Sequence, residues 1–100
     1  MITMNNLIND VLQWAEERDL LNKDNAPKQF LKVVEEVGEI SAALARNNDE
    51  ELVDAIGDTI VTLIILADQK NMSIEHCLRT AYNEIKDRKG ATKDGVFIKD

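Results

Sequence analysis

The sequence contains few of the residues that form disulfides and zinc sites. Among its 100 residues there is one cysteine, Cys77, and one histidine, His76. A single cysteine excludes a disulfide within the chain, and no cysteine–histidine spacing surrounds it that would indicate a thiol nucleophile. We therefore interpret Cys77 as a small buried side chain in a reducing compartment and His76 as a surface or packing residue.

Basic residues and long apolar runs are also scarce. The 19 acidic side chains outnumber the 12 basic ones, and the formal net charge is −7. Because binding to a nucleic-acid backbone requires a basic surface, we expect no nucleic-acid polymer among the partners. The longest apolar stretch, Ile60 to Ala67, is interrupted only by Thr62. It is far shorter than the ~20 residues that cross a bilayer, and the N-terminal residues lack the pattern of a signal peptide. We expect a cytoplasmic protein without a membrane partner.

Helical periodicity is what the sequence contains in abundance. With 44% hydrophobic and 31% charged residues, the composition is typical of a soluble globular protein, and the length predicts a single domain over residues 1–100. No convincing strand–turn–strand pattern is visible. The predicted fold is an all-α, four-helix antiparallel bundle, with helices over about residues 3–19, 27–46, 50–69 and 74–88.

Local signals predict where the helices begin and end. Pro27 is tolerated in the first turn of the second helix, Asn48 or Asp49 can cap the third, and Ser73 can cap the fourth. Gly90 is predicted to end the fourth helix. Residues 91–100 are predicted to form a short C-terminal tail, either a strand-like arm or a loose segment.

The apolar side chains predict which helix faces are buried. On the second helix the expected core face comprises Phe30, Val34, Val37, Ile40 and Leu44. The second half of the third helix, "TIVTLIILA", is apolar nearly all round, which indicates burial on more than one side. Since so short a chain has a thin core of its own, we expect a homodimer or a homotetramer.

Two acidic clusters lie within the second and third helices. The first comprises Glu35, Glu36 and Glu39 in "KVVEEVGEISAAL", and the second comprises Glu51, Asp54 and Asp58 in "ELVDAIGDTIV". Within each cluster the residues three or four apart share a helix face. The loop between the two helices is short, so the helices are antiparallel neighbours. The two clusters are therefore predicted to face each other.

Carboxylates this closely spaced indicate a cation site. Like charges repel at helical neighbour spacing, more strongly when half-buried, unless they are paired or bind a metal. A donor set of oxygens alone suits Mg²⁺ or Mn²⁺ and not zinc. Gly38 and Gly57 favour a close approach of helix backbones or of a ligand, because glycine inside a helix costs ~1 kcal/mol relative to alanine. The structural alternative is that both clusters are solvated faces of ordinary acidic helices.

The acidic pattern resembles that of the MazG-like all-α nucleoside triphosphate pyrophosphohydrolases, over about residues 29–90. That family's pattern is E-E-x-x-E followed by E-x-x-D on antiparallel helices, and "EEVGE" at residues 35–39 matches the first half in full. In "DAIGD", Asp58 matches the final aspartate, but Ala55 occupies the position of the expected glutamate. Asp54 is the expected substitute, while Glu51 with Asp54 also spells E-x-x-D.

The resemblance implies hydrolysis of a nucleoside triphosphate between its α and β phosphates, giving a monophosphate and pyrophosphate. The cofactor it implies is Mg²⁺, with Mn²⁺ as an alternative, and the role is nucleotide-pool control or house-cleaning. The implied metal ligands are Glu36, Glu39, Asp54 and Asp58. The implied catalytic residues are Glu35, Glu36, Glu39 and Asp58, with Glu35 either a further ligand or the general base.

Substrate contacts are expected from residues outside the clusters. The resemblance implies that a basic residue near the end of the fourth helix contacts the triphosphate. Lys32 and Gln29 precede the glutamates by one and two turns, and Trp14 can stack on a nucleobase or belong to the core. Basic residues also favour helix C-termini for structural reasons. The full set of predicted substrate-binding residues is Trp14, Gln29, Lys32, Asn83, Lys86 and Arg88.

A second hypothesis belongs to a different functional class. The departure at Ala55 and the small size of the chain are also compatible with a helical dimer that has lost catalysis. Such a protein would act as a binding or regulatory module. A saturable metal site distinguishes the enzyme from this module.

Overall fold

The computed structural model describes all residues, 1–100. The elements are α1 (Met4–Glu17), α2 (Ala26–Ala45), α3 (Asp49–Gln69), α4 (Ile74–Ile85), β1 (Gly90–Lys93) and β2 (Val96–Lys99), with a short 3-10 turn (Lys23–Asn25) before α2. The expected all-α helical fold is confirmed for the body of the chain. None of the helices combines the length and the apolar character that a bilayer crossing requires.

Three helices begin at side-chain caps, of which Asn48 and Ser73 were predicted and Thr3 was not. The backbone N–H of Asn6 donates to Thr3 Oγ1 at 3.1 Å, that of Glu51 donates to Asn48 Oδ1 at 3.1 Å, and that of His76 donates to Ser73 Oγ at 3.0 Å. Each cap satisfies one backbone donor that the first helical turn leaves free. The start of α3 and hence the length of the turn after α2 are therefore set locally.

The helix α3 lies at the centre of the packing. It contacts α1, α2 and α4, whereas no Cα atom of α2 lies within 8 Å of one in α1 or α4. The buried apolar residues are few and mostly small, namely Ala15, Val33, Ala43, Ala55, Ile64, Ile65 and Ala67. A radius of gyration of 15.8 Å, against about 13 Å for a compact chain of this length, describes an open arrangement.

In the single chain, the core face predicted for α2 is wrong at four of its five residues, and the fifth, Ile40, is half-buried. Phe30, Val34, Val37 and Leu44 are each exposed by half or more of their surface, and the buried residues of α2 are instead Val33 and Ala43. The reason is that α2 carries two apolar stripes. The stripe of smaller side chains packs against α3, which leaves the stripe of larger side chains facing outward.

The close backbone approach predicted at two helical glycines is not formed within the chain. A Cβ atom built on Gly38 or on Gly57 would meet nothing within 4 Å. Both positions therefore face open space in the single chain. Any ligand or protein that approaches them must come from outside it.

The C-terminal residues form a β-hairpin, contrary to the expectation that the chain has no strand–turn–strand unit. β1 and β2 pair antiparallel, with Thr92 opposite Phe97 and Lys93 opposite Val96. Asp94 and Gly95 connect them with φ angles of 50° and 78°, as a type I′ turn requires. The missed signal was the dipeptide "DG", which is a strong local indicator of a hairpin.

The fourth helix also ends earlier than predicted, at Ile85 instead of about residue 88. Gly90, which was predicted to end this helix, lies in β1. Its requirement for glycine comes from the hairpin, because a Cβ atom there would collide with the carbonyl oxygen of Ile98 and the ring of Phe97. The aromatic ring thus covers the glycine of the facing strand.

Candidate functional site

The antiparallel hairpin of α2 and α3 brings the two acidic clusters to one cavity. Asn47, with a positive φ of 52°, and the Asn48 cap reverse the chain between the two helices. The cavity has a volume of about 330 Å³ and is lined by Glu35, Glu36, Glu39, Arg46, Glu51, Asp54, Ala55 and Asp58. All six predicted acidic residues of the two clusters therefore line the same space.

Glu36 has the most perturbed environment among these carboxylates. It is half-buried between α2 and α3, whereas Glu35, Glu39 and Asp58 are exposed. Burial raises the pKa of Glu36 above its ordinary value of 4.5, and the nearby charge of Asp58 raises it further. Lys32 opposes this increase, and Glu35 and Glu39 add to it. The raised pKa of Glu36 therefore has two causes, namely its burial between the helices and the negative charge around the cavity.

Two cations neutralise the edges of the cavity. Lys32 Nζ lies 3.3 Å from Glu35 Oε2, and Arg46 Nη1 lies 3.1 Å from Glu51 Oε2. Arg46 is a cavity residue that the sequence reasoning missed, although its position just before the α2–α3 turn placed it near Glu51. The remaining acidic residues form no salt bridge, namely Glu36, Glu39, Asp54 and Asp58.

These unpaired carboxylates are the same residues that the sequence predicts as metal ligands. No group of three or more acidic, histidine or cysteine side chains lies close enough together to hold a metal ion in this structure. The carboxylates surround a cavity instead of converging on one point, as mutual repulsion favours. Their oxygen-only chemistry matches what Mg²⁺ and Mn²⁺ prefer. The donor set fits such an ion, and the metal site stays a prediction.

Ala55, which occupies the position of the glutamate expected from the resemblance, is buried beside the cavity. Ala55 is 4% exposed, so it lies on the floor of the cavity, where a glutamate side chain would have to be accommodated in the packing. Asp54, next to it, is exposed and unpaired, whereas Glu51 is held by Arg46. Of the two possible substitutes, Asp54 is therefore the carboxylate left available.

The predicted substrate-binding residues of α1 and α2 lie outside the cavity lining. Lys32 lies at its edge through the contact with Glu35. Gln29 uses its amide to donate to the carbonyl of Thr62 at 3.1 Å, which ties α2 to α3. Trp14 is 46% exposed, and the guanidinium of Arg18 lies 4.5 Å from the centre of its ring. Trp14 is thus neither a buried core residue nor a neighbour of the acidic cavity.

The three predicted contacts of the fourth helix are separated from the cavity within one chain. Asn83 lies in the last turn of α4, and Lys86 and Arg88 follow it. Because no Cα atom of α4 comes within 8 Å of α2, these side chains do not line the acidic cavity. A single chain therefore does not bring these residues to the cavity, and their role as triphosphate ligands stays a prediction.

Comparison with known proteins gives a match over all four helices. The sequence model of the phosphoribosyl-ATP pyrophosphohydrolase family matches residues 4–87. A protein of Haemophilus phage HP1, described as an uncharacterized 18.2 kDa protein in the rep-hol intergenic region, is 39% identical over 72 residues, which are 72% of this chain and 44% of the phage protein. The chain thus spans less than half the length of that relative. No solved structure matches.

Proposed function

The chain belongs to the phosphoribosyl-ATP pyrophosphohydrolase family, and from this premise we propose that it hydrolyses the bond between the α and β phosphates of a nucleotide. The family is one of hydrolases that act on acid anhydrides, which is the broader activity class implied by the acidic pattern. The narrower MazG-like assignment stays a prediction. The observation that carries the proposal is the single cavity lined by both acidic clusters.

The proposed substrate is a nucleoside triphosphate or its deoxy form, in nucleotide-pool control or house-cleaning. Phosphoribosyl-ATP, which the family's name contains, offers the same triphosphate chemistry and is the alternative substrate. A net charge of −7 and an acidic cavity repel a polyphosphate, so a bound cation is needed to reverse the local field. This electrostatic requirement supports Mg²⁺, with Mn²⁺ as a substitute.

The proposed role of each cavity carboxylate follows from whether it has a salt-bridge partner. Glu36, Glu39, Asp54 and Asp58 have no salt-bridge partner and would hold the cation. When bound, Mg²⁺ supplies charge neutralisation at the phosphate oxygens and lowers the pKa of a coordinated water. Glu35, oriented by Lys32, accepts a proton from the attacking water as general base. The cleaved phosphoanhydride releases pyrophosphate and leaves the nucleoside monophosphate.

The test is an activity assay with nucleotides of both kinds. The protein is incubated with canonical and modified nucleoside triphosphates and, separately, with phosphoribosyl-ATP, each with Mg²⁺ or Mn²⁺, and the products are separated. We expect monophosphate and pyrophosphate from at least one substrate. For Glu39→Gln we expect a fall in kcat/KM of about 100-fold or more, since loss of a proposed cation ligand exceeds the effect of an outer-shell partner. Glu16→Gln, on the exposed surface of α1, is the matched control. No turnover of any substrate with either ion overturns the proposal.

A binding or regulatory module without catalysis is the second candidate. It is favoured by Ala55 in the acidic pattern and by the absence of a preformed metal-ligand cluster. Calorimetric titration with Mg²⁺ and with Mn²⁺ distinguishes the two candidates. A saturable site that Glu39→Gln removes supports the enzyme, whereas titrations that show no site support the module.

The proposed oligomer is a homodimer, or a homotetramer built from it. The chain exposes 7996 Å², whereas a folded monomer of 11.3 kDa exposes roughly 5,700 Å². The excess of roughly 2,300 Å² is larger than the ~800 Å² that each partner buries in a standard interface. The outward apolar stripe of α2 is part of this surface, and a second copy would cover it.

A further inference from the structure

The C-terminal arm, residues 79–100, is the part of the chain with the least support from its own body, residues 1–78. α4 packs against α3 alone, and no Cα atom of the β-hairpin lies within 8 Å of one in any helix. Every residue from 78 to 100 is exposed. A two-stranded hairpin without a further packing partner is at best marginally stable in water, so this hairpin needs a surface on which to pack.

The hairpin presents one apolar face that nothing covers. The strand register puts Ala91, Val96 and Ile98 on one side, together with Lys93. The opposite side is already closed in part, because Phe97 lies over Gly90. Val96 and Ile98 are 63% and 51% exposed. The side with Val96 and Ile98 is therefore an uncovered apolar surface.

A groove in the body has matching properties. It lies between α1, α3 and the start of α4, has a volume of about 500 Å³, and eight of its ten lining residues are hydrophobic. Ile8, Leu63 and Cys77 come from the three different helices, and Glu75 supplies an acidic edge. The groove thus offers apolar walls for Val96 and Ile98 and a negative charge for Lys93.

We propose that the C-terminal arm of one chain docks with the apolar face of its hairpin in this groove of a second copy. Within one chain, α4 holds the hairpin away from the groove, since the groove lies at the start of the helix and the hairpin follows its end, about 18 Å along. A second copy is not restricted in this way. The proposal rests on the proposed dimer, whose excess exposed surface is large enough to include such a contact.

Charge supports a second copy of this chain as the occupant. Residues 1–78 carry 15 acidic and six basic side chains, whereas residues 79–100 carry four acidic and six basic ones. The body is therefore strongly negative and the arm is slightly positive. When two copies exchange arms, each slightly positive arm meets the negative body of the other copy. Electrostatic complementarity of this kind favours the correct register.

The native Cys77 provides a direct test. It lines the groove as a free, half-buried thiol, and a disulfide forms only when the two Cα atoms come within about 7 Å. Under mild oxidation of the full chain, Ile98→Cys is expected to give a covalent dimer on a non-reducing gel. Lys99→Cys, on the other face of the hairpin, is the matched control and is expected to stay monomeric. Cys77→Ser combined with Ile98→Cys is expected to abolish the product.

Each result bears on a different part of the proposal. A bond between residues 98 and 77 of the same chain, found by peptide mapping of a monomer band, overturns exchange between copies. A second measurement is the dimer dissociation constant from sedimentation. We expect Ile98→Asp to raise it at least tenfold and Thr92→Asp, on the opposite face, to leave it unchanged. If Ile98→Asp leaves a stable dimer and no crosslink forms, the arm exchange is wrong and the dimer stands. If the wild-type protein sediments as a monomer, the proposed dimer is wrong as well.

Discussion

Glu36 differs from the other cavity carboxylates because its side chain is half-buried. Burial disfavours the ionised form of an acid, and neighbouring negative charge disfavours it further. Burial and the charge of the neighbouring carboxylates therefore act together on Glu36, with burial the larger cause. In the absence of metal, this residue is the part of the site that opposes folding.

The raised pKa of Glu36 predicts a specific dependence of stability on pH. The folded state binds the proton of Glu36 more tightly than the unfolded state, so the free energy of unfolding falls as pH rises from the ordinary value of 4.5 through the raised folded value. We expect Glu36→Gln to remove this fall and to be more stable than wild type at neutral pH. Urea unfolding at several pH values in the presence of a chelator measures the free energy of unfolding of both proteins, and Glu16→Gln is the control. An unchanged pH profile for Glu36→Gln would contradict the assigned environment.

Asp54 and Glu51 differ in their pairing, and this difference predicts which of them replaces the missing glutamate. Arg46 engages Glu51, while Asp54 has no cationic partner. We expect Asp54→Asn to lower kcat/KM by about 100-fold, since loss of a ligand exceeds the 10–100-fold effect of an outer-shell partner. Glu51→Gln should change it by only a few-fold. Steady-state kinetics and metal titration of both variants test this prediction. A larger loss for Glu51→Gln than for Asp54→Asn would place the cation nearer the α2–α3 turn.

Among the helices, α2 best illustrates how local pattern and packing differ. Its length follows from nearby residues, and its two apolar stripes are both visible in the sequence. Periodicity shows which residues share a face but not which face meets α3. The narrow stripe of Val33 and Ala43 allows close packing of the two helices, and the wide stripe is then left for another surface.

A glycine in α2 offers a test of the open space beside the cavity. No atom lies within 4 Å of the point that a methyl group on Gly38 would occupy, and alanine is favoured over glycine inside a helix by ~1 kcal/mol. We expect Gly38→Ala to raise the free energy of unfolding by about that amount, measured by urea unfolding without substrate. A loss of stability would show that another chain approaches the α2 backbone at this point.

For the assembled protein, the outward stripe of α2 predicts dissociation on insertion of a charge. Val37 is 50% exposed in the single chain, yet an aspartate there would be buried and unpaired if a second copy covers it. We expect Val37→Asp to convert the dimer to monomers at micromolar concentration, measured by sedimentation. Thr80→Asp adds the same charge on the exposed surface of α4 and should leave the dimer intact. A dimer that tolerates Val37→Asp would have its interface elsewhere.

The features that the sequence predicted correctly are those set by residues only a few positions apart in the chain. Thr3, Asn48 and Ser73 cap helices through hydrogen bonds to residues three positions away, so these helix starts were predictable. The shared acidic cavity was also predictable, because helical spacing and a short turn are enough to align the two clusters. The hairpin was missed although the "DG" turn marked it, since its strands lack the alternating apolar pattern of a half-buried sheet.

Helix positions, caps and the meeting of the acidic clusters were thus contained in the order of residues, because hydrogen bonds and periodicity act over a few positions along the chain. Only the folded chain decided the choice of inner face on α2, the exposure of Asp54 beside a buried Ala55 and the separation of Lys86 from the cavity. These features depend on which surfaces pack together, and packing is decided by the fit of residues far apart in the chain.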